Sequence, residues 1–302
     1  MAEDQGVNGD IWNDCAVHLM ELLGWSHIGD KNMDLPGIDS KSHGIDALMR
    51  YETPQMAIPQ SCLLESKRYA VESLNNTTVR NWIEALRKKI DLFAHSEELN
   101  EEFPPLKDCC PINLGLIMCW VHNAPNEAYF EDTFSKYLSA SIFNTATTRH
   151  TFKRIMVFSN SRILRLCAIA AKMKEAANAY KFVYPSQLTG GQPMVKSSIL
   201  SIEYACSDVI LAEKSIQNEF CKVVFFLGKL SISSLKSLKD SLTFYNFIEH
   251  GKKLLIFYYG SHVENRKIIA EAANIFNGIE LEIKPLQKLD FTTEPSILID
   301  QQ

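Results

Sequence analysis

An α/β fold is predicted, with a pair of strands between two helices in the first third and repeated strand–helix alternation after it. Three observations carry this prediction. Residues 45–51 and 61–67 read as strands, with the breakers Thr53-Pro-Gln and Ile58-Pro-Gln between them. Amphipathic stretches at 11–24 and 79–95 flank the pair. From Asn126 onward, short apolar runs alternate with helical segments.

In the first helix Ile11, Cys15, Leu19 and Leu22 recur at three-to-four spacing, and Gly24 is its stop signal. A turn-rich stretch follows, Gly29-Asp-Lys-Asn and then Leu35-Pro-Gly. Ile45, Ala47, Met49 and Tyr51 alternate as one face of a strand, and Cys62-Leu-Leu leads the next strand into a charged end. The prolines between them break a strand and suit a hairpin connection. Thr77 or Thr78 is placed to cap the helix at 79–95, whose apolar face is Val79, Ile83, Leu86, Ile90 and Phe93. Residues 96–111 read as an acidic, proline-punctuated loop, and the apolar run Ile112–Val121 as a buried strand.

Beyond it the pattern predicts a helix over 127–143, a strand from Arg154 and a helix to about Tyr180. Strands near 223–227, 254–259 and 279–283 then enclose helices at 231–249 and 263–277. Apolar strands alternating with helices imply a parallel sheet covered on both faces. Gly190-Gly191 is a turn signal, since no P-loop lysine follows it. The expected division is between residues 1–125 and an α/β domain at 126–302.

Hydrophobic residues make up 46% and charged residues 22%, which excludes a disordered or fibrous chain. No apolar run reaches the ~18 residues that span a bilayer, so no membrane partner is expected. The acidic start, Met1-Ala-Glu-Asp, lacks the pattern of a signal peptide, and a cytoplasmic location is expected. Eight cysteines show no C-x-x-C pair, which argues against structural zinc and for free thiols in a reducing compartment. The net charge of −5 is unevenly spread: −9 through Asp108 and +4 beyond it. Binding of a polyanion must therefore rest on local basic patches or a partner chain.

The chemistry concentrates in His43-Gly-Ile-Asp46 and Leu63-Leu-Glu65-Ser-Lys67. Residues two apart on a strand project together, so Glu65 and Lys67 share a face. If the strands pair, Asp46 converges with Glu65 at one end of the sheet, and both acids are expected at a solvent-reachable edge. Two carboxylates offer the hard oxygens that Mg²⁺ prefers. A neighbouring lysine can orient or deprotonate water and neutralise charge on a phosphodiester. Two other acid-x-Lys triplets lack this setting: Asp39-Ser-Lys41 lies in a turn, and Glu282-Ile-Lys284 has no upstream acid strand.

The order helix, Gly-x-Asp strand, acid-x-Lys strand, helix, buried strand resembles the PD-(D/E)XK restriction-endonuclease-like nucleases over residues 11–121. The resemblance implies an α-β-β-β-α-β core within residues 1–125, and the strand–helix alternation after it implies a C-terminal α/β (parallel-sheet) domain, regulatory or partner-binding. It also implies a Mg²⁺ (or Mn²⁺) cofactor and cleavage of DNA, with RNA left open. Asp46 and Glu65 match the family's metal-binding acids and Lys67 its catalytic lysine; Ile45 stands where the family has proline. The family often adds an acid on the first helix, where Asp14 and Glu21 both qualify and Asp14 is preferred. Stand-alone members with an added domain commonly serve in restriction or anti-phage defence. One site per chain implies a homodimer for double-strand cutting, and the acidic charge and added domain suggest a partner, such as a second defence protein, or a bound ligand that helps deliver the substrate. The competing reading is a non-catalytic nucleic-acid or ligand-sensing platform.

Near this motif, His43, Arg68, Arg80, Arg87 and Lys88 are candidate contacts to a nucleic-acid backbone. A solvated helix face explains Arg87 and Lys88 equally well. Asp39 reads as a turn aspartate before an extra ligand, and Trp82 and Trp120 as core.

Overall fold

The computed structural model describes residues 7–54, 56–143, 153–175, 180–185, 194–216 and 219–299; Gly190-Gly191 lies outside them. The chain opens with α1 (Val7–Leu22), β1 (Ser26–Ile28), β2 (Met33–Pro36), β3 (Ser42–Ile45), β4 (Ala47–Tyr51) and β5 (Gln60–Ala70). Next come α2 (Asn76–Phe93), α3 (Glu97–Glu102), β6 (Leu114–His122), α4 (Glu127–Phe143), β7 (Arg154–Phe158) and α5 (Asn160–Glu175). After β8 (Tyr180–Tyr184) and β9 (Val195–Ser197) follow α6 (Ile202–Ala205), β10 (Val209–Ile216) and β11 (Glu219–Phe226). The chain ends through α7 (Ile232–Phe244), β12 (Lys253–Tyr259), α8 (His262–Ile275), β13 (Glu280–Leu286) and α9 (Ser296–Ile299).

Two compact units result, one of residues 1–52, 56–164 and 290–302, the other of 53–55 and 165–289. The division thus falls inside α5 rather than at 125. Its cause is pairing: β7 adds to the first sheet beside β6, and α4 packs on α2.

In the first unit the described strands form a sheet of order β1-β4-β5-β6-β7. β4 pairs with β5 antiparallel, Ala47 opposite Leu64 and Met49 opposite Cys62, whereas β6 runs parallel to β5 and β7 parallel to β6. The β2–β3 hairpin stands outside that sheet, so its order along the chain is α1-β1-β4-β5-α2-β6. The stretch read as turns at 29–37 therefore carries β2, with β1 just before it. Their brevity, three and four residues, hides any period-two pattern.

Alternation along β5 divides the packing. Leu63 and Tyr69 face a core with Leu48, Ile117 and the α2 residues Val79, Ile83, Leu86 and Ile90. On α1, Trp12 donates from Nε1 to Met118 O at 3.0 Å and lies against Trp120. Burial of each large α2 side chain contributes about 1.5–3 kcal/mol, and this fixes the helix over the sheet. Local details differ from expectation. Ile11 is 44% exposed, and the buried stripe of α1 is carried by Trp12, Cys15, Ala16 and Leu19. Asn75, not Thr77 or Thr78, caps α2 by accepting from both threonine N–H groups. The acidic stretch after α2 folds into α3, capped by Ser96 and anchored by buried Leu99.

The second unit holds a sheet of order β13-β12-β11-β10-β8-β9 among its described strands. Only β11, β12 and β13 are parallel; β10, β8 and β9 add antiparallel. The helix expected to reach about Tyr180 is described to Glu175, residues 176–179 lie outside the described residues, and Tyr180 itself opens β8. α7 and α8 cover one face through Leu235, Leu238, Ala272 and Phe276 on Val224 and Ile256. The C-terminal half of α5 lies against the other, with Lys172 5.3 Å from the Phe257 ring.

Gly115 of β6 lets α2 approach closely: a Cβ there would stand 2.6 Å from Leu86 Cδ2 and 3.1 Å from Ile90 Cδ1. Gly115→Ala should therefore lower unfolding free energy by about 1–3 kcal/mol, the usual cost of overpacking. Chemical denaturation measures this, and a loss below roughly 0.5 kcal/mol would mean that α2 can shift freely.

Candidate active site

The β4–β5 register brings the acids together. Ala47 pairs with Leu64, so the preceding residue, Asp46, stands across from Glu65 just beyond the end of the ladder. Asp46 Oδ2 accepts from Ser66 N at 2.6 Å and from Ser66 Oγ at 3.0 Å. Its carbonyl accepts from Asn13 Nδ2 at 3.2 Å and from Asn32 N at 2.9 Å, which ties the strand start to α1 and to the β1–β2 turn. Both backbone and carboxylate of Asp46 are thus held while Oδ1 takes part in none of these bonds.

Glu65 lies on the central strand and is only 6% exposed, in contrast to the solvent-reachable edge expected for both acids. It faces α2, and Lys89 of that helix donates to Oε1 at 2.5 Å. Lys67 Nζ stands 3.4 Å from Oε2. Burial raises the Glu65 carboxyl above the usual carboxylate range, the Asp46 charge adds to the rise, and Lys67 and Lys89 oppose it. Two negative groups are therefore held near each other at a cost that a cation would relieve.

This donor set fits a divalent ion. Asp46 and Glu65 supply hard oxygens, and the remaining positions fall to water, backbone carbonyl or substrate oxygens. No third acid joins them: among the described residues no group of three or more His, Cys, Asp or Glu could hold an ion. Asp14 projects to solvent and pairs with Lys31 at 2.5 Å, and Glu21 faces His18 at 3.8 Å.

The basic candidates disperse. His43 Nε2 lies 2.9 Å from Asp39 Oδ1, which also accepts from Lys41 N at 3.2 Å, so Asp39 closes a turn. The His43 hydrogen bond holds the Asp39 carboxyl below its ordinary range. Arg68 is engaged by Glu294 at 2.8 Å, both side chains 19% exposed, and so is not presented to a phosphate. Arg80 lies 4.0 Å from Glu84; Arg87 is half-buried and Lys88 exposed on α2. The second acid-x-Lys copy, on β13, is an open ion pair: Glu282 bonds Lys284 and Lys253 and is 34% exposed, against 8% for the Glu65 side chain.

Lys89, Ser66 and Asn13 were not singled out by sequence reasoning. Lys89 carried one usable signal, since it adjoins Ile90 at the edge of the apolar stripe of α2. A buried carboxylate beside a second acid, with lysines on its own strand and on the covering helix, is an arrangement suited to metal-assisted phosphodiester chemistry. Residues 1–162 match the family model described as the GAPS4 protein PD-(D/E)XK nuclease domain, and the chain belongs to that family. No curated protein matches the chain.

The raised Glu65 carboxyl has a consequence for stability. A carboxyl whose folded value is raised adds stability at low pH, and that contribution is lost as pH rises above the ordinary glutamate value. Without divalent ions, Glu65→Gln should remove this decline. Denaturation of both proteins from about pH 4 to pH 8 tests it; parallel stability curves would show that Glu65 is not strained.

Proposed function

We propose that the chain is a divalent-metal-dependent endonuclease that hydrolyses phosphodiester bonds in DNA and serves in restriction or anti-phage defence. The observation that carries this reading is Asp46 beside a buried Glu65 that Lys67 and Lys89 contact from two elements. Asp46 and Glu65 would hold the ion, Mg²⁺ or Mn²⁺; when bound, it supplies a more acidic water and charge stabilisation at the phosphate. Lys67 Nζ orients the attacking water or takes its proton, and neutralises charge on the phosphorane. Lys89 keeps the Glu65 carboxylate turned toward the site through its 2.5 Å bond. Ser66 fixes Asp46 by two donors, so the acid need not reorganise.

The defence assignment is supported by the family and by the presence of a second α/β unit. A single site per chain cuts one strand at a time, so a two-fold homodimer suits double-strand cleavage. A second defence protein and a cytoplasmic setting belong to the same reading.

Plasmid DNA incubated with the purified chain should be nicked or linearised with Mg²⁺ or Mn²⁺ and spared when chelator is added. Asp46→Ala, Glu65→Gln and Lys67→Ala should each lower the rate about 10²- to 10⁴-fold. Glutamine at 65 preserves the shape of a buried side chain, whereas alanine would strand two ammonium groups. Lys41→Ala and Lys284→Ala should keep most activity. Wild-type cutting by Glu65→Gln would place the site elsewhere, and cleavage of RNA alone would replace the substrate.

A further inference from the structure

Away from the acid pair, the second unit carries its own charged cleft. Glu213 of β10 is 5% exposed, and Lys196 of β9 and Lys222 of β11 both form ion pairs with it. The register explains the meeting: Glu213 stands opposite Lys222 on one side and Lys181 of β8 on the other, so the three share a sheet face. One carboxylate thus fixes two ammonium groups and neutralises only one. Farther along the strands this face is covered by α7 and α8. α7 ends at Phe244, and the strand beginnings stay open as a cleft of about 920 Å³.

Phe220, a residue 68% exposed, lines that cleft, and Lys196 Nζ lies 4.7 Å from the ring centroid. A ring so exposed adds little to the core but offers a flat apolar face beside cations. Lys252 and Lys253 complete the basic lining, and Glu249 and Glu280 join Glu213 as its acidic members, four lysines against three glutamates. The surrounding charge favours an anion: residues 165–289 hold 16 Lys+Arg against 11 Asp+Glu, a net of +5 in a chain of net −5. A duplex keeps its base faces stacked inside, so an exposed ring has nothing to meet there. An unpaired strand offers both bases to stack and phosphates to pair.

We propose that this cleft binds single-stranded DNA, with a base stacked on Phe220 and the flanking phosphates on Lys196, Lys222 and Lys252. The proposal rests on the nuclease reading only for its class of ligand. The test is fluorescence anisotropy of the full chain with a labelled thymidine 20-mer, in chelator so that no cutting occurs. Phe220→Ala and Lys252→Glu change exposed side chains and should leave the circular-dichroism spectrum unaltered. Phe220→Ala should weaken binding on the order of ten-fold, and Lys252→Glu should make the salt dependence shallower, by about 0.7 in logarithmic slope for each phosphate no longer neutralised. Lys41→Ala, outside both the cleft and the acid pair, should bind the strand as wild type does. Unchanged affinity in both cleft variants, or a duplex bound as tightly through the same residues, would overturn the proposal. Phe220-dependent binding without cleavage under any metal would count against the nuclease reading alone. Cleavage with binding indifferent to Phe220 would count against the cleft alone.

Discussion

The buried carboxylate of Glu65 constrains the whole first unit. It sits on β5, between β4 and β6, where water is largely excluded, and an ionised group so placed is costly unless compensated. Compensation comes from two directions, Lys67 two residues along the same strand and Lys89 from the helix above, while the Asp46 charge across the end of the ladder works against them. Each demands a particular register. A slip of one residue between β4 and β5 would turn Glu65 and Lys67 toward α1 and remove both from Lys89. The hydrophobic pattern that packs Leu63 and Tyr69 against α2 therefore also aims the acid and its lysines.

Charge balance in this cluster gives the site a definite polarity. Two carboxylates face two ammonium groups, so the cluster is close to neutral, and a divalent cation would bring it to about +2. On the proposed reading, this local sign lets a polyanion approach a region whose first 108 residues carry a net of −9. Asp46 bears part of the repulsion, and its bonds from Ser66 and Asn13 hold it against Glu65. Supporting bonds of this kind keep a site rigid where the side chains alone would splay.

The second unit uses the same residue types to a different end. Glu282 and Lys284 reproduce the acid-x-Lys spacing on an edge strand, where both remain open to solvent. Glu213, buried among lysines, shows the reverse arrangement, with one acid and an excess of cations. Spacing two apart on a strand says only that two side chains share a face; burial and neighbours decide what the pair can do.

Long periodic segments were legible from residue order. The apolar stripe Val79–Ile83–Leu86–Ile90 implied α2, the run into β6 implied a buried strand, and the β4–β5 hairpin around two breakers implied where Asp46 and Glu65 meet. These features are local, because helix and strand periods are written within ten to twenty residues. Strands β1, β2 and β9 were not legible, since three or four residues cannot display a period. β10 and β8 were missed because their antiparallel addition depends on partners far along the chain. Tertiary structure alone decided that Lys89 serves Glu65 and that Arg68 is not left for a phosphate: α2 crosses the sheet with Lys89 inward, while Glu294, distant in sequence, engages Arg68. The burial of Glu65 belongs to the same class, because exposure depends on what covers a strand and not on the strand's own residues.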